Sequence, residues 1–333
     1  MLHYCSYIEF SITFDGTPAF AEAEAVIIRV VTHDYKILEL LVKCNLFKHK
    51  LKGDHLANHI ISTITERCGK DLKDWIGAQQ DRASTNKAAL DTIESKFANV
   101  NLSRNYCCSH TLSNAGKRMI GPDGSAQYAE KFRKLFQKVI QHPGKARDLT
   151  KKVFGEPVLY AGGVRFFVKY EQICQIADQG VNRILNQILP RCIEEKWSEV
   201  SSQKLFEAYG TEGKYSDLGM AMLEIAAVAD CGKIFAESCY TLEGDSAIIL
   251  RGSSVFDRLE DTIAAECKLD RVKAVIDNVL ELLLKGGNIV VEKRDLAERD
   301  YLSAERVFNQ ANNVVKDLKK RPTEFNGWYN SEG

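Results

Sequence analysis

The first third of the chain alternates between a period-two and a helical spacing of hydrophobic residues. The segment 7–14, YIEFSITF, alternates apolar and polar residues and predicts a strand that ends at a turn over 15–18, Asp-Gly-Thr-Pro. The segments 25–31 and 36–47 are rich in β-branched and aliphatic residues and predict two more strands. Parallel neighbours need a crossover of about a dozen residues, so these closely spaced strands predict an antiparallel meander.

The following segments predict helices and strands in turn. Apolar residues at a helical spacing predict a helix over 53–68, and a short apolar run predicts a fourth strand over 74–80. A second amphipathic helix is expected over 84–97 with Ser84 as its N-cap. A fifth strand is expected over 105–109, before the helical spacing resumes. The order βββαβαβα predicts an α/β fold with a mixed sheet.

After about residue 170 the pattern becomes helical. The segments 185–199, 217–239 and 255–285 carry apolar residues at a helical spacing, and strand signals become rare. We therefore predict an all-α insertion over about 175–290. The expected division of the chain is an α/β core over 1–174, the insertion over 175–290, and a C-terminal helix over 291–333 that either returns to the core or ends the insertion.

Composition places the chain among proteins with a sizeable core. Of its 333 residues, 45% are hydrophobic and 27% are charged, which argues against a disordered tail or a membrane channel. No apolar run reaches the roughly 18 residues that a bilayer span needs, and residues 1–14 lack the basic start of a signal peptide. Ten scattered cysteines fit a reducing interior, so we expect an intracellular protein without a membrane partner.

The net charge of zero hides an asymmetry along the chain. Residues 1–170 hold 25 Lys and Arg against 17 Asp and Glu, and the rest of the chain has the opposite excess. Between Lys117 and Lys152 ten basic residues stand against three acidic ones. This run predicts either a surface that faces a polyanion or a solvated helix face. The candidate phosphate-binding residues are Lys131, Arg133, Lys134, Lys138, Lys151 and Lys152.

Two aspartates follow predicted strands. Asp15 ends the first strand and Asp81 ends the fourth. In a βββαβαβ sheet whose first and fourth strands are neighbours, both carboxylates would lie at one edge. Two close carboxylates repel each other unless a cation lies between them, and a pair of divalent ions that act on a phosphodiester is a common solution. The alternative makes Asp15 a turn residue and Asp81 a carboxylate at a helix N-terminus.

The segment 107–110, Cys-Cys-Ser-His, is expected to end the fifth strand. A single C-x-x-H is a weak zinc signal, because a structural zinc site needs four nitrogen or sulfur ligands. His110 at a strand end could instead contact a phosphate or a base. The alternative is a histidine that is satisfied within the core.

Four segments together resemble a known family. They are FDGTPAFAEAEAVIIRVV (14–31), DRASTNKAAL (81–90), CCSHTL (107–112) and VRFFVKYEQI (164–173). In this order they resemble the RNase H-like core of hAT-superfamily DNA transposases, especially the eukaryotic group that often carries BED-type zinc fingers. The segment 226–245, AAVADCGKIFAESCYTLEGD, also resembles part of that group's helical insertion.

The resemblance implies an RNase H-like sheet and a set of site residues. Asp15 and Asp81 match the first two members of a DDE triad that holds two Mg²⁺ or Mn²⁺ ions, and Cys107 and His110 match a motif near the DNA. Arg165 and Phe166 stand where the family has Arg-Trp, whose indole stacks on a flipped base. Double-stranded transposon ends would be the partner, in the nucleus. A homo-oligomer is compatible with the family, and no small-molecule cofactor is implied.

The third acid of the triad has two interpretations. The segment 302–314, LSAERVFNQANNV, offers Glu305 as a metal ligand. A similar segment ends the insertion in this group, well before the family's catalytic glutamate. In that register Glu305 is an exposed helix residue and the triad is incomplete. The family's N-terminal DNA-binding region is also missing, so we expect a chain shortened at both ends.

Two functions of different classes follow. The first is a transposase-type DNA strand transferase or endonuclease with a two-metal carboxylate site. The second is a catalytically inactive, transposase-derived module that binds DNA or protein. An RNase H-like nuclease that acts on RNA hybrids is a more distant third, because fold alone is a poor guide to function.

Overall fold

A computed structural model of the chain describes most of the sequence. The described residues are 9–17, 22–32, 36–47, 51–81, 83–97, 100, 102–120, 125–160, 166–210, 215–242, 248–266 and 298–319. The chain divides into two compact units between Thr111 and Leu112. The first unit contains a sheet with two helices, and the second is helical.

The first unit is built on a five-stranded mixed sheet. Its strands are β1 (Phe10–Thr17), β2 (Glu22–Val31), β3 (Ile37–Phe47), β4 (Trp75–Gln80) and β5 (Ser103–Tyr106). Their order in the sheet is β3-β2-β1-β4-β5. The predicted antiparallel meander is confirmed, because β1 pairs antiparallel with β2 and β2 with β3. The expectation that the first and fourth strands are neighbours is also confirmed, and β1, β4 and β5 run parallel.

Two helices pack with the sheet around one hydrophobic core. They are α1 (Gly53–Ser62), which continues into a π-helical turn over Thr63–Arg67, and α2 (Ser84–Lys96). Alternate residues of β1, such as Phe10, Ile12 and Phe14, are buried in this core with apolar residues of both helices. The helices approach closely at Gly53, where a Cβ atom would lie 2.6 Å from the Ala88 Cβ. A larger residue at Gly53 would push them apart.

The first predicted turn is wrong. Strand β1 continues through Asp15 and Gly16 to Thr17, and Gly16 pairs with Glu24 of β2. The Asp-Gly pair suggested a turn from local preference, but β2 begins at Glu22, three residues earlier than predicted, and its pairing extends β1. Asp15 therefore lies within the strand, two residues before it ends.

Two further local predictions are also corrected. Strand β5 ends at Tyr106, and Cys108 begins helix α3 (Cys108–Ile120), so the segment 107–110 does not end a strand. The N-cap of α2 is Ala83, which makes no side-chain cap, and Ser84 is the first helical residue. Asp81 takes over part of the capping, because its side chain accepts a hydrogen bond from the Ala83 amide.

The second unit consists of helices around the long α10. Besides the larger part of α3 it contains α4 (Gln127–Val139), α5 (Lys145–Phe154), α6 (Phe166–Gln179), α7 (Val181–Arg183), a π-helical turn (Ile184–Ile188), α8 (Leu189–Glu194), α9 (Glu199–Tyr209), α10 (Tyr215–Leu242), α11 (Ile248–Glu266) and α12 (Glu298–Lys319). Helix α10 packs against α4, α6, α9, α11 and α12. Between Leu218 and Val228 most of its side chains are buried, as expected for a central helix.

The predicted helices differ from the observed ones mainly at their ends. The helix expected over 185–199 is interrupted after α8, because Lys196 and Ser198 have φ values of 56° and 48°. The helix expected over 255–285 begins earlier, at Ile248, and its part beyond Glu266 lies outside the described residues. The predicted helix over 217–239 is confirmed by α10. No described helix has both the length and the apolar character to cross a bilayer.

The packing division does not coincide with the predicted domain boundaries. Helices α4 and α5 and most of α6 fall within the core predicted over 1–174, but they belong to the helical unit with α9 and α10. Compact packing and sequence organisation divide a chain by different criteria. The boundaries at 174 and 290 therefore stay predictions.

Candidate functional site

Three parallel strands end at one edge of the sheet and deliver candidate site residues there. Gln80, the last residue of β4, pairs with Tyr106, the last residue of β5. The next residues along the two strands are Asp81 and Cys107, and the Cys107 amide donates a 2.9 Å hydrogen bond to the Gln80 carbonyl. Asp81 and Cys107 therefore occupy corresponding positions at this carboxyl edge.

Asp15 belongs to the neighbouring strand. The last pair between β1 and β4 joins Thr13 and Gln79, and two residues further along each strand stand Asp15 and Asp81. Neighbouring strands lie about 4.8 Å apart. The Asp15 backbone pairs with Ala25 of β2, but its side chain lies outside the described part of the chain. The predicted meeting of the two carboxylates stays a prediction.

The Asp81 carboxylate is held by its own chain. Its Oδ1 accepts a 2.8 Å hydrogen bond from the Ala83 amide and a 2.7 Å bond from Asn86 Nδ2. Asn86 is buried on the first turn of α2, so its amide is a rigid support. Both contacts use one oxygen of the carboxylate. The same geometry serves the alternative role of Asp81 as a helix-start residue, and sequence reasoning did not identify Asn86.

Cys107 and His110 lie at the start of α3. The Cys107 carbonyl accepts bonds of 3.0 Å from both the amide and the hydroxyl of Thr111. His110 is half-buried in the first turn of the helix, not at a strand end as expected. Among the described residues no group of three His, Cys, Asp or Glu side chains is arranged to hold a metal ion.

Phe166 belongs to the core of the helical unit. Its ring has no exposed surface and packs on Tyr170 and Phe235, with ring centroids 6.1 and 6.3 Å away. A Cβ atom at Gly116 would lie only 2.4 Å from the Phe166 ring. A ring without exposed surface cannot stack on a base, which corrects the role that the resemblance implied. Arg165, its predicted companion, lies outside the described residues.

Phe166→Trp is expected to destabilise the protein by about 1–3 kcal/mol, because a larger ring overpacks the contact with Gly116. Urea unfolding followed by circular dichroism measures the change. The matched control is Phe167→Trp at the neighbouring, half-buried position, where the same change is made to a ring that is not enclosed in the core. A base-stacking residue would behave differently: Phe166→Trp would leave stability unchanged and tighten the binding of DNA with an unpaired base.

The predicted phosphate-binding residues separate into exposed and buried groups. Lys131, Lys134 and Lys138 are exposed and follow one face of α4 at spacings of three and four residues. Lys151 and Lys152 are exposed on the last turn of α5. These five lysines are accessible to a polyanion. Arg133, by contrast, is only 3% exposed, which corrects its predicted contact with DNA.

Arg133 forms a buried ion pair instead. Its Nε lies 2.6 Å from Glu130 Oε2 and its Nη2 lies 3.0 Å from Glu130 Oε1. Gln137 and Gln172 accept hydrogen bonds from Nη1, so the guanidinium is fixed. Glu130 is itself only 2% exposed. Sequence reasoning counted Arg133 among the surface cations, since no sequence signal separates it from Lys134.

Two further lysines surround this ion pair. The Nζ atoms of Lys134 and Lys169 lie 3.5 and 3.8 Å from Glu130 Oε1. Burial lowers the pKa of Lys169, with Glu130 opposing this effect and Arg133 and Lys134 adding to it. Burial also lowers the pKa of Lys117 on α3, and the positive charge of Lys169 lowers it further. The cluster carries more positive than negative charge.

Glu305 lies on α12 of the helical unit. Its side chain is half-buried, and α12 packs against α10 and α11 through a stripe of apolar residues. Both interpretations of 302–314 stay predictions. Membership of Glu305 in a triad with Asp15 and Asp81 stays a prediction.

A buried carboxylate that sequence reasoning missed connects three helices. Glu224 of α10 is 1% exposed, and its Oε2 accepts hydrogen bonds of 2.7 and 2.9 Å from the Tyr128 and Ala129 amides at the start of α4. Its Oε1 accepts a hydrogen bond from the Ser303 hydroxyl of α12. Burial raises the pKa of Glu224 to about 7, against the lowering effect of these hydrogen bonds. A glutamate within an apolar helix was the only signal in the sequence.

Comparison of the chain with protein-family models and with curated proteins finds no match.

Proposed function

We propose that the protein acts on DNA phosphodiesters as an RNase H-like strand transferase or endonuclease of the hAT transposase type. The observation that supports this most is the parallel register of β1 and β4. Continued by two residues from the Thr13–Gln79 pair, it brings Asp15 and Asp81 to corresponding positions at one sheet edge. In this proposal the two carboxylates form the cation-binding part of the site.

The donor set suits a hard divalent cation. Mg²⁺ and Mn²⁺ prefer carboxylate oxygens, and Mg²⁺ keeps several waters, so few protein ligands suffice. The Asp81 carboxylate can supply one such ligand. Both of its hydrogen bonds from Ala83 and Asn86 go to Oδ1, and neither goes to Oδ2. A bound pair of such ions supplies the activation of a water or hydroxyl and the stabilisation of the leaving oxygen. Glu305 is proposed as a further ligand on the resemblance alone.

Other residues of the chain have positioning roles in this proposal. Asn86 orients Asp81, as supporting residues around metal ligands do. Cys107 and His110, just after β5, would contact DNA next to the carboxylates. The exposed lysines of α4 and α5 would bind backbone phosphates without reading sequence. The nuclear location expected from the resemblance belongs to the same proposal.

The test is cleavage of DNA by the purified chain. Incubation with Mn²⁺ and hairpin or nicked DNA ends is expected to release shorter strands, and EDTA is expected to stop the reaction. Gel analysis of end-labelled strands measures it. A folded protein that leaves every substrate intact at all Mn²⁺ concentrations would contradict the proposal.

The exposed lysines favour a second candidate, a transposase-derived module that binds DNA without cutting it. Lys131, Lys134 and Lys138 line one face of α4. The packing of α12 within the helical unit also suits a chain whose triad is incomplete. Salt-dependent binding of duplex DNA in the presence of EDTA, together with intact substrates in Mn²⁺, would favour this second candidate over the first.

A further inference from the structure

The helical unit contains one cluster in which cations outnumber carboxylates. Arg133, Lys134 and Lys169 all lie within 4 Å of one carboxylate oxygen, Glu130 Oε1. Lys117 of α3 is coupled to this group through Lys169, whose positive charge lowers the pKa of Lys117. Three cations from two helices thus share a single carboxylate, and a fourth, Lys117 from α3, is coupled to one of them.

The Glu130 carboxylate already has a close cationic partner. Arg133 contacts both oxygens of Glu130 at 2.6 and 3.0 Å, and such a two-point pair neutralises the carboxylate charge most strongly. Lys134 and Lys169 lie further away, at 3.5 and 3.8 Å. The Lys134 and Lys169 ammonium groups therefore have only a weak remaining attraction to Glu130.

Two of these lysines are also removed from much of their water. The Lys169 side chain is 21% exposed, and Lys117 is half-buried with a 3.1 Å hydrogen bond from its Nζ to Asn114 Oδ1. Keeping either lysine charged therefore costs free energy of folding. The lowered pKa values of both side chains agree with this cost. An anion between the ammonium groups would remove that cost.

We propose that Lys117, Lys134 and Lys169 form a phosphate-binding site on the helical unit, with the fixed Arg133–Glu130 pair as its floor. The chemistry it recognises is a phosphate group, either in a nucleic acid backbone or in a free polyphosphate. The site consists of residues of the helical unit and needs no divalent cation. Its nucleic acid form rests on the proposed function, whereas its polyphosphate form does not.

The test compares the double variant Lys117→Gln/Lys169→Gln with the wild-type chain in EDTA. Titration calorimetry with tripolyphosphate, at constant ionic strength, is expected to show at least about a tenfold loss of affinity in the variant, because two charge-assisted contacts are removed. Without anion, thermal unfolding of the variant is expected at the wild-type temperature or above it, because two desolvated charges are gone.

The matched control is Lys204→Gln/Lys316→Gln, which removes the same charge from exposed positions of α9 and α12. It is expected to retain the wild-type tripolyphosphate affinity. An equal loss of tripolyphosphate affinity in both double variants would overturn the proposed site. So would unchanged binding of both tripolyphosphate and duplex DNA by Lys117→Gln/Lys169→Gln.

A second titration, with short duplex DNA at several salt concentrations, identifies the source of the phosphate. Loss of two phosphate contacts would reduce the slope of log affinity against log salt by up to about 2. A weaker slope in the cluster variant assigns the site to nucleic acid. Unchanged DNA binding together with lost tripolyphosphate binding assigns it to a free polyphosphate. Because no step requires Mn²⁺, a chain that fails to cleave DNA can still pass this test.

Discussion

Asp81→Asn is expected to reduce Mn²⁺-dependent DNA cleavage to background, a loss of about 10³-fold or more. The substitution removes the charge that binds a cation and keeps an oxygen at the Oδ1 position. Loss of a metal ligand removes several kcal/mol of transition-state stabilisation, and each 1.4 kcal/mol is about a factor of ten in rate. Initial rates on a nicked DNA end measure the effect.

The fold should tolerate this change. The amide oxygen of asparagine can still accept the hydrogen bonds from Ala83 and Asn86. The matched control is Asp91→Asn on α2, an exposed carboxylate that pairs with Arg104 at 2.6 Å. It loses the same charge away from the sheet edge and should cleave as the wild type does.

Asn86→Ala adds a graded variant to the same experiment. It removes only the support of the carboxylate, so a loss of about 10–100-fold is expected. Equal cleavage rates in the wild type and Asp81→Asn would show that Asp81 does not belong to the site. They would also contradict the proposed carboxylate pair.

Glu224→Gln is expected to make the protein more stable than the wild type above about pH 7. Burial raises the pKa of Glu224 from 4.5 to about 7, so the folded state holds a proton that the unfolded chain releases between these values. Wild-type stability therefore falls as pH rises through this window, by about 3 kcal/mol in total from this group. The neutral amide side chain of the variant would imitate the protonated carboxyl at every pH, so this contribution disappears in the variant.

The measurement is the free energy of unfolding in urea at about pH 5 and about pH 8. The variant and the wild type should agree at the lower pH, and the variant should exceed the wild type at the higher pH. Glu237→Gln is the matched control on the same helix, because its side chain is 66% exposed, and it should follow the wild type. Parallel curves for the wild type and Glu224→Gln would show that the Glu224 carboxyl titrates as it does in water.

A second substitution separates the hydrogen bonds from the charge. Glu224→Leu removes the acceptor for the Tyr128 and Ala129 amides and for the Ser303 hydroxyl. Because buried donors without partners cost about 1–3 kcal/mol each, we expect a loss of several kcal/mol at every pH.

The local pattern of hydrophobic residues predicted most of the sheet unit. Alternating apolar residues predicted β1, and runs of β-branched and aliphatic residues predicted β2 and β3. Their short connections led to the antiparallel pairing that the structure has. The same patterns were less reliable at the ends of elements. The Asp15-Gly16 pair suggested a turn, whereas pairing with β2 extended the strand.

The site residues differ in how far sequence could identify them. Asp81 follows a clear strand signal, so its position at the sheet edge was predictable. Asn86, which supports it, has no signal beyond its place in the resemblance motif. Phe166 was predicted to contact DNA from its place in the resemblance and Arg133 from its place in the basic run, and both are buried.

The sequence by itself determined where strands and helices form, since hydrophobic spacing acts over neighbouring residues. It also determined the charge asymmetry of the chain. Only the tertiary structure decided which aromatic and charged residues are buried. It also decided that Arg133, Lys134 and Lys169 share Glu130, and that Glu224 accepts hydrogen bonds from the start of α4. Those outcomes depend on helices that are distant in sequence and pack around α10, and burial sets the energetic cost of each charge.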